Sequence, residues 1–195
     1  MFLFRSKKIY VPIGIDCDVA YYLRSINLRR EAFPFDWIVS PISSSIELIN
    51  NDFEGFLEFS NLSFLEPTKR FLFKDNELCE DMVTPVYCKR YHQLFVHDFS
   101  ARGINDYTQV FDKYKKRVNR LRELLYNKEK IVFVYNDTTP NSWQLHKYNR
   151  VNYTWQGFSE KNVNINYKII SFRRFKRATY LRSCFYKLRD LIKVE

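Results

Sequence analysis

Glycine is scarce in this 195-residue chain, with four in all, and proline is little commoner at six. So few chain-breakers exclude collagen-like and Gly/Pro-rich linker proteins, and each glycine marks a particular turn. Cysteine is also sparse. Cys17, Cys79, Cys88 and Cys184 lie far apart and form no disulfide framework. No apolar stretch is long enough to span a bilayer. The opening Met1-Phe2-Leu3-Phe4 is too short for a signal-peptide core, and Arg5, Lys7 and Lys8 follow at once. These absences lead us to expect a cytoplasmic protein with free thiols and no transmembrane segment. Internal repeats and low-complexity linkers are lacking too. One domain over 1–195 is expected, with 150–195 as a C-terminal extension.

Aromatic residues and positive charge are plentiful. Eighteen Phe and fourteen Tyr, within a 46% hydrophobic composition, call for a ring-rich core and exclude a disordered chain. The net charge of +10 points to an acidic partner: nucleic acid, an anionic membrane surface, or an acidic or phosphorylated substrate. Much of this charge falls in 113–122 and 173–189, where solvated helix faces account for most of it.

The pivotal stretch is Ile13-Gly14-Ile15-Asp16-Cys17-Asp18. Ile9, Tyr10, Val11 and Ile13 before it read as a buried strand. Val19, Tyr22, Leu23 and Ile26 after it recur at i, i+3, i+4 and i+7, the stripe of a core-facing helix. Gly14 permits a sharp exit from the strand, and Asp16 is the expected N-cap, which puts Cys17 in the helix's first turn. Unpaired N–H groups and the helix dipole favour a thiolate there, although a free cysteine is as readily a small buried hydrophobe.

Further along, Pro34 ends the helix ahead of Phe33-Pro34-Phe35-Asp36-Trp37-Ile38, and Asp36 between aromatics needs a donor or solvent. A helix is expected over 42–59, then loops with short strands over 60–90. Tyr91–Phe99 reads as a strand ending in His97-Asp98, and Tyr107–Asn127 as a helix. Ile131–Tyr135, apolar throughout, reads as a strand buried on both faces and leads into Asn136-Asp137. Ser142–Tyr148 is a short helix, Lys168–Phe172 a last strand and 176–192 a basic helix.

Strands alternating with helices predict a single three-layer α/β domain with a largely parallel sheet. The strand exits then deliver Cys17, His97-Asp98 and Asn136-Asp137 to one rim, where such sheets bind ligands. In that arrangement Cys17 is a nucleophile, His97 its base within about 5 Å, and Asp98 or Asp137 orients the imidazole, with Asp137 preferred.

Gly14-x-x-Cys17-x-x-Ala20-x-x-Leu23, then Pro34-Phe35-Asp36-Trp37, then His97-Asp98-Phe99 ahead of a basic helix, resembles a bacterial domain family of unknown function described as papain-like cysteine peptidases. The resemblance spans roughly 9–136. It implies a thiol-dependent hydrolase acting on an acyl- or peptide-containing substrate, with Cys17 as nucleophile and His97 as base, and a papain-like α+β fold as the alternative architecture. Asp36, Asp98 and Arg117 match family positions without assigned roles. Gly14, Asp16, Asp36, Trp37, Asn136 and Arg117 are the candidates for substrate binding or support. A Cys-His α/β domain is similar also to acyltransferase-like proteins of surface-polysaccharide synthesis. No cofactor is expected otherwise, and acyl-CoA enters only under that alternative.

Two rival readings use other residues. Cys79, Cys88, His92 and His97 are metal-ligand types, but their spacing lacks the tight pairs of zinc modules, so no metal is expected. The basic helices with interleaved Tyr and Phe could track a nucleic-acid backbone, yet no nucleic-acid motif accompanies them. Oligomeric state is not legible.

Overall fold

The computed structural model describes residues 8–14, 17–74, 77–136 and 168–179. In chain order they form β1 (Ile9–Pro12), α1 (Asp18–Ser25), β2 (Ile38–Val39), α2 (Ile42–Asn50), β3 (Leu62–Phe64), β4 (Thr68–Lys74), β5 (Glu77–Val83), β6 (Val86–Cys88), β7 (Gln93–Phe95), α3 (Tyr107–Tyr126), β8 (Ile131–Tyr135) and β9 (Lys168–Ser171). Residues 172–179 are helical and are called α4.

Three strands make a parallel sheet in the order β1-β8-β9. Every residue of β8 is buried, as its unbroken apolar run requires of a strand covered on both faces. The pleat divides it cleanly. Ile131, Phe133 and Tyr135 join the main core with Val11 and Ile13, whereas Val134 faces Val19 and Leu23 of α1 and Phe172 and Phe175 of α4. The last strand and helix, from within the expected C-terminal extension, are thus built into the domain. Layers of helix lie on both faces of this sheet.

The middle of the chain forms a second, antiparallel sheet in the order β2-β7-β6-β3, with β4 and β5 as a separate hairpin. The molecule is therefore a mixed α/β domain that combines the parallel sheet with antiparallel pairing, as in the papain-like α+β alternative. Aromatic rings join the second sheet to α3: Tyr114 meets Phe56 at 5.7 Å and Phe95 at 5.3 Å, both edge-on. Edge-to-face pairs like these add to the stabilisation from burial alone.

Several boundaries differ from expectation. The helix expected over 42–59 stops at Asn50, because Asp52, Phe53, Gly55 and Leu57 all take positive φ. Phe53 and Phe56 are still buried, so the apolar spacing reflects a packed turn rather than a helix. The strand expected over Tyr91–Phe99 pairs only at Gln93–Phe95, and 96–98 bend away. The long β4–β5 hairpin replaces expected loops. The short helix expected at Ser142–Tyr148, and the basic helix beyond residue 179, lie outside the described residues.

Candidate functional site

Cys17 sits where β1 delivers it, past Gly14 at the C-terminal rim of the parallel sheet. It is the N-cap of α1 rather than a residue of its first turn, and its carbonyl accepts the Tyr21 N–H at 2.9 Å. Its side chain is half-buried. Asp16, the expected cap, lies outside the described residues. Asn136 is buried two residues beyond Val134, the partner of Pro12, so it and Gly14 leave neighbouring strands at the same level. Asp137 is outside the described residues.

Gly14 also packs against the second sheet, close to the Ser40 carbonyl. A buried polar group continues from there: the Gln93 amide donates to Ser40 Oγ at 2.9 Å, and Ser40 and Ser45 hydroxyls bond at 2.8 Å. His97 lies four residues beyond Gln93, up to about 13 Å along the chain. His97 follows a strand of the antiparallel sheet, whereas Gly14, Cys17 and Asn136 follow strands of the parallel one.

His97 and Asp98 instead line a cleft of about 740 Å³ whose opposite wall is α3. Lys113, Lys116, Arg117 and Arg120 come from one face of that helix, at i, i+3, i+4 and i+7. Asp98 accepts from Lys113 Nζ at 2.6 Å and from the Tyr114 hydroxyl at 2.8 Å. Burial and the Asp98 carboxylate hold the Tyr114 phenol well above its ordinary pKa, so it stays a donor. Arg120 is bound to the Ala32 carbonyl at 2.5 Å and to Glu31 at 3.0 Å. Cys17 is not among the described residues lining this cleft.

Behind the cleft lies the Pro34–Trp37 turn. Asp36 is fully buried, accepts from Phe33 N–H at 2.9 Å and is held by Arg29 through Nε at 2.7 Å and through Nη2. Arg29 also stacks over Trp37, 5.5 Å from the ring centroid. Burial pushes the Asp36 carboxyl above the usual carboxylate range, against the pull of Arg29 and, more weakly, of Arg117. Asp36, His97, Asp98 and Arg117 thus belong to one region, although they are widely separated in sequence. The readings from sequence missed Arg29, Lys113, Tyr114 and Gln93. Only Arg29 left a trace, as a cation seven residues before an acid that needed one.

His97 is half-buried, and its Nδ1 is shut off from solvent with no hydrogen-bond partner among the described residues. Burial lowers its pKa below the ordinary 6.5, with Asp98 opposing and Arg70 assisting. The imidazole is neutral at pH 7, as a general base must be. Stability should follow. Above pH 6.5 the folded and unfolded states are both neutral at this position, and the contribution is intact. As pH falls through the folded-state pKa, the unfolded chain takes up the proton first and stability is lost. His97→Gln is expected to flatten this part of the pH–stability curve, measured by urea unfolding between pH 5 and 8. An unchanged slope would assign it to other groups.

Among the described residues, no helix is long and apolar enough to cross a membrane, and no group of three or more His, Cys, Asp or Glu side chains could hold a metal ion. No solved structure matches the chain. It is similar to "Uncharacterized protein R408" of Acanthamoeba polyphaga mimivirus, 30% identical over 141 residues, which cover 68% of this chain. The chain spans 63% of that relative's length. A family model described as "Putative papain-like cysteine peptidase (DUF1796)" matches residues 8–174, and the chain belongs to that family.

Proposed function

We propose that this protein is a thiol-dependent acyl hydrolase in which Cys17 is the nucleophile and His97 its base. The observation that carries the reading is the position of Cys17 as N-cap of α1, at the exit of a buried parallel strand. The first turn of α1 leaves backbone N–H groups without helical partners, which stabilises a thiolate and supplies donors for an oxyanion. His97 accepts the thiol proton while Cys17 Sγ bonds to the acyl carbon. The leaving group then departs with that proton, and water releases the acid from the thioester.

The supporting role of His97 rests on its neutrality and its unpartnered Nδ1. The other described histidine, His92, is exposed and bonded to the Tyr87 hydroxyl at 2.7 Å. The nucleic-acid alternative is less well supported, because Lys113, Arg120 and Arg122 are engaged by Asp98, Glu31 and Asp52.

Brief treatment with substoichiometric iodoacetamide at pH 6, read by mass spectrometry, should label Cys17 first. Cys88, buried with its thiol pKa pushed up by that burial, should label slowly. In His97→Ala the Cys17 rate should fall about tenfold, the effect of a one-unit rise in thiol pKa. Labelling of another cysteine first would refute the nucleophile. An unchanged rate in His97→Ala would refute the dyad while leaving the nucleophile standing.

A further inference from the structure

The cleft against α3 holds more positive charge than its own acids use. Lys113 is committed to Asp98, Arg120 to Glu31 and the Ala32 carbonyl, and Arg102 to Asp106 at 2.5 Å. Arg117 and Lys116, adjacent on the same wall, have neither a hydrogen bond nor an ion pair among the described residues. Arg117 is positioned by its ring contact, with its guanidinium carbon 4.9 Å from the Tyr114 centroid, and its Nη1 is shut off from solvent without an acceptor. Asp36 lies near enough to act on Arg117 electrostatically but accepts no hydrogen bond from it.

A buried guanidinium N–H without an acceptor is costly, more so than a neutral donor. The cost is removed if a ligand supplies the acceptor. The second orphan in the same cleft, His97 Nδ1, is on the facing wall. A planar fork, a flexible ammonium beside it and an imidazole opposite are the donor set for a tetrahedral dianion. The acids that share the cleft do not cancel it. Asp81 accepts from its own neighbour Met82 N–H at 2.9 Å, and Asp112 is exposed at the helix surface. A volume of about 740 Å³ suits a metabolite-sized molecule rather than one ion.

We propose that this cleft is a binding site for a small phosphomonoester, its phosphate held by Arg117, Lys116 and His97. The site does not depend on Cys17, and its test is separable from that of the thiol. Full-length protein carrying Cys17→Ser should bind as the wild type does.

Isothermal calorimetry and ³¹P NMR with inorganic phosphate, glycerol 3-phosphate and adenosine monophosphate would test it, with a phosphoserine peptide as a fourth arm. Saturable one-to-one binding of a small phosphomonoester is expected, tighter than that of inorganic phosphate. Arg117→Met keeps the stem on Tyr114 and should weaken binding at least about tenfold, the loss of one charge-assisted bond. Lys116→Gln, an exposed change that leaves the packing alone, should weaken it several-fold. Lys115→Gln, next to it but outside the cleft lining, should change nothing. Absence of saturable binding to all the small phosphates would overturn the proposal. So would equal affinity for succinate, unchanged affinity in both Lys116→Gln and a folded Arg117→Met, or binding of the phosphopeptide alone.

Discussion

Asp36→Ala is expected to lower stability by about 3–5 kcal/mol, the usual result of removing one partner from a buried ion pair. In a domain of this size that corresponds to a fall of roughly 10 °C in Tm. The reason lies in what is left behind. Arg29 has a side chain only 7% exposed, and Asp36 is its carboxylate partner. Without it, a buried guanidinium and the Phe33 N–H lose their acceptor together. The pair itself need not contribute much net stability, because desolvation of both ions offsets their attraction. The asymmetry predicts the order of variants. Asp36→Asn, which can still accept from Phe33, should cost less than Asp36→Ala, and Arg29→Met combined with Asp36→Ala should recover part of the loss. Urea unfolding of the four proteins would show this. A loss under 1 kcal/mol would refute the structural role, and an Asp36→Ala protein of normal stability but no activity would move Asp36 into the chemistry.

The same pair shows why some of this architecture was legible in the sequence and some was not. Asp36 between Phe35 and Trp37 announced a buried acid in need of a donor, but nothing local said which of the nearby arginines would supply it. The helix Tyr107–Tyr126 and the strand Ile131–Tyr135 were plain, because a 3.6-residue stripe and an unbroken apolar run each answer to one geometry. Phe53 and Phe56 misled for the same reason in reverse. Their spacing fits a helix, while positive φ at Asp52 and Phe53 makes a turn that buries both rings without one.

The placement of His97 was obscured by a turn without turn residues. The apolar run Tyr91–Phe99 looked like a strand of the parallel sheet. In the fold, β6 and β7 are joined by only Lys89–His92, too short a connection for anything but antiparallel pairing. His92 takes φ +52 to close that turn, in a position where glycine or asparagine would have been recognisable from sequence. One missing turn signal therefore moved His97 from the rim of the first sheet to the cleft beside α3. The Cys17 half of the reading had a better marker in Gly14.

That marker gives the second large effect. Gly14 has φ +63, and a methyl group placed on it would lie 2.9 Å from the Ser40 carbonyl oxygen, 3.1 Å from Ile42 Cγ1 and 3.3 Å from Ile42 Cα. Two of these atoms are backbone, at the junction of β2 and α2, and cannot rotate aside. Gly14→Ala should therefore cost about 1–2 kcal/mol for the left-handed backbone and about 1–3 more for overpacking. Gly103 provides the control. It shares the positive φ, at +55, but its nearest neighbour is the Thr84 hydroxyl at 3.4 Å, an ordinary contact. Gly103→Ala should carry the backbone cost alone, so the difference between the two variants measures the clash at Gly14. Equal losses would mean that Ser40 and Ile42 yield freely, and that Gly14 does not pin the connection. If the connection is pinned as the contact implies, Gly14→Ala must also displace the chain leading to α1. The iodoacetamide rate at Cys17 should then change in this variant and stay at the wild-type value in Gly103→Ala. Stability and thiol reactivity would change together in Gly14→Ala, and stability alone in Gly103→Ala, which a merely local strain at Gly14 would not produce.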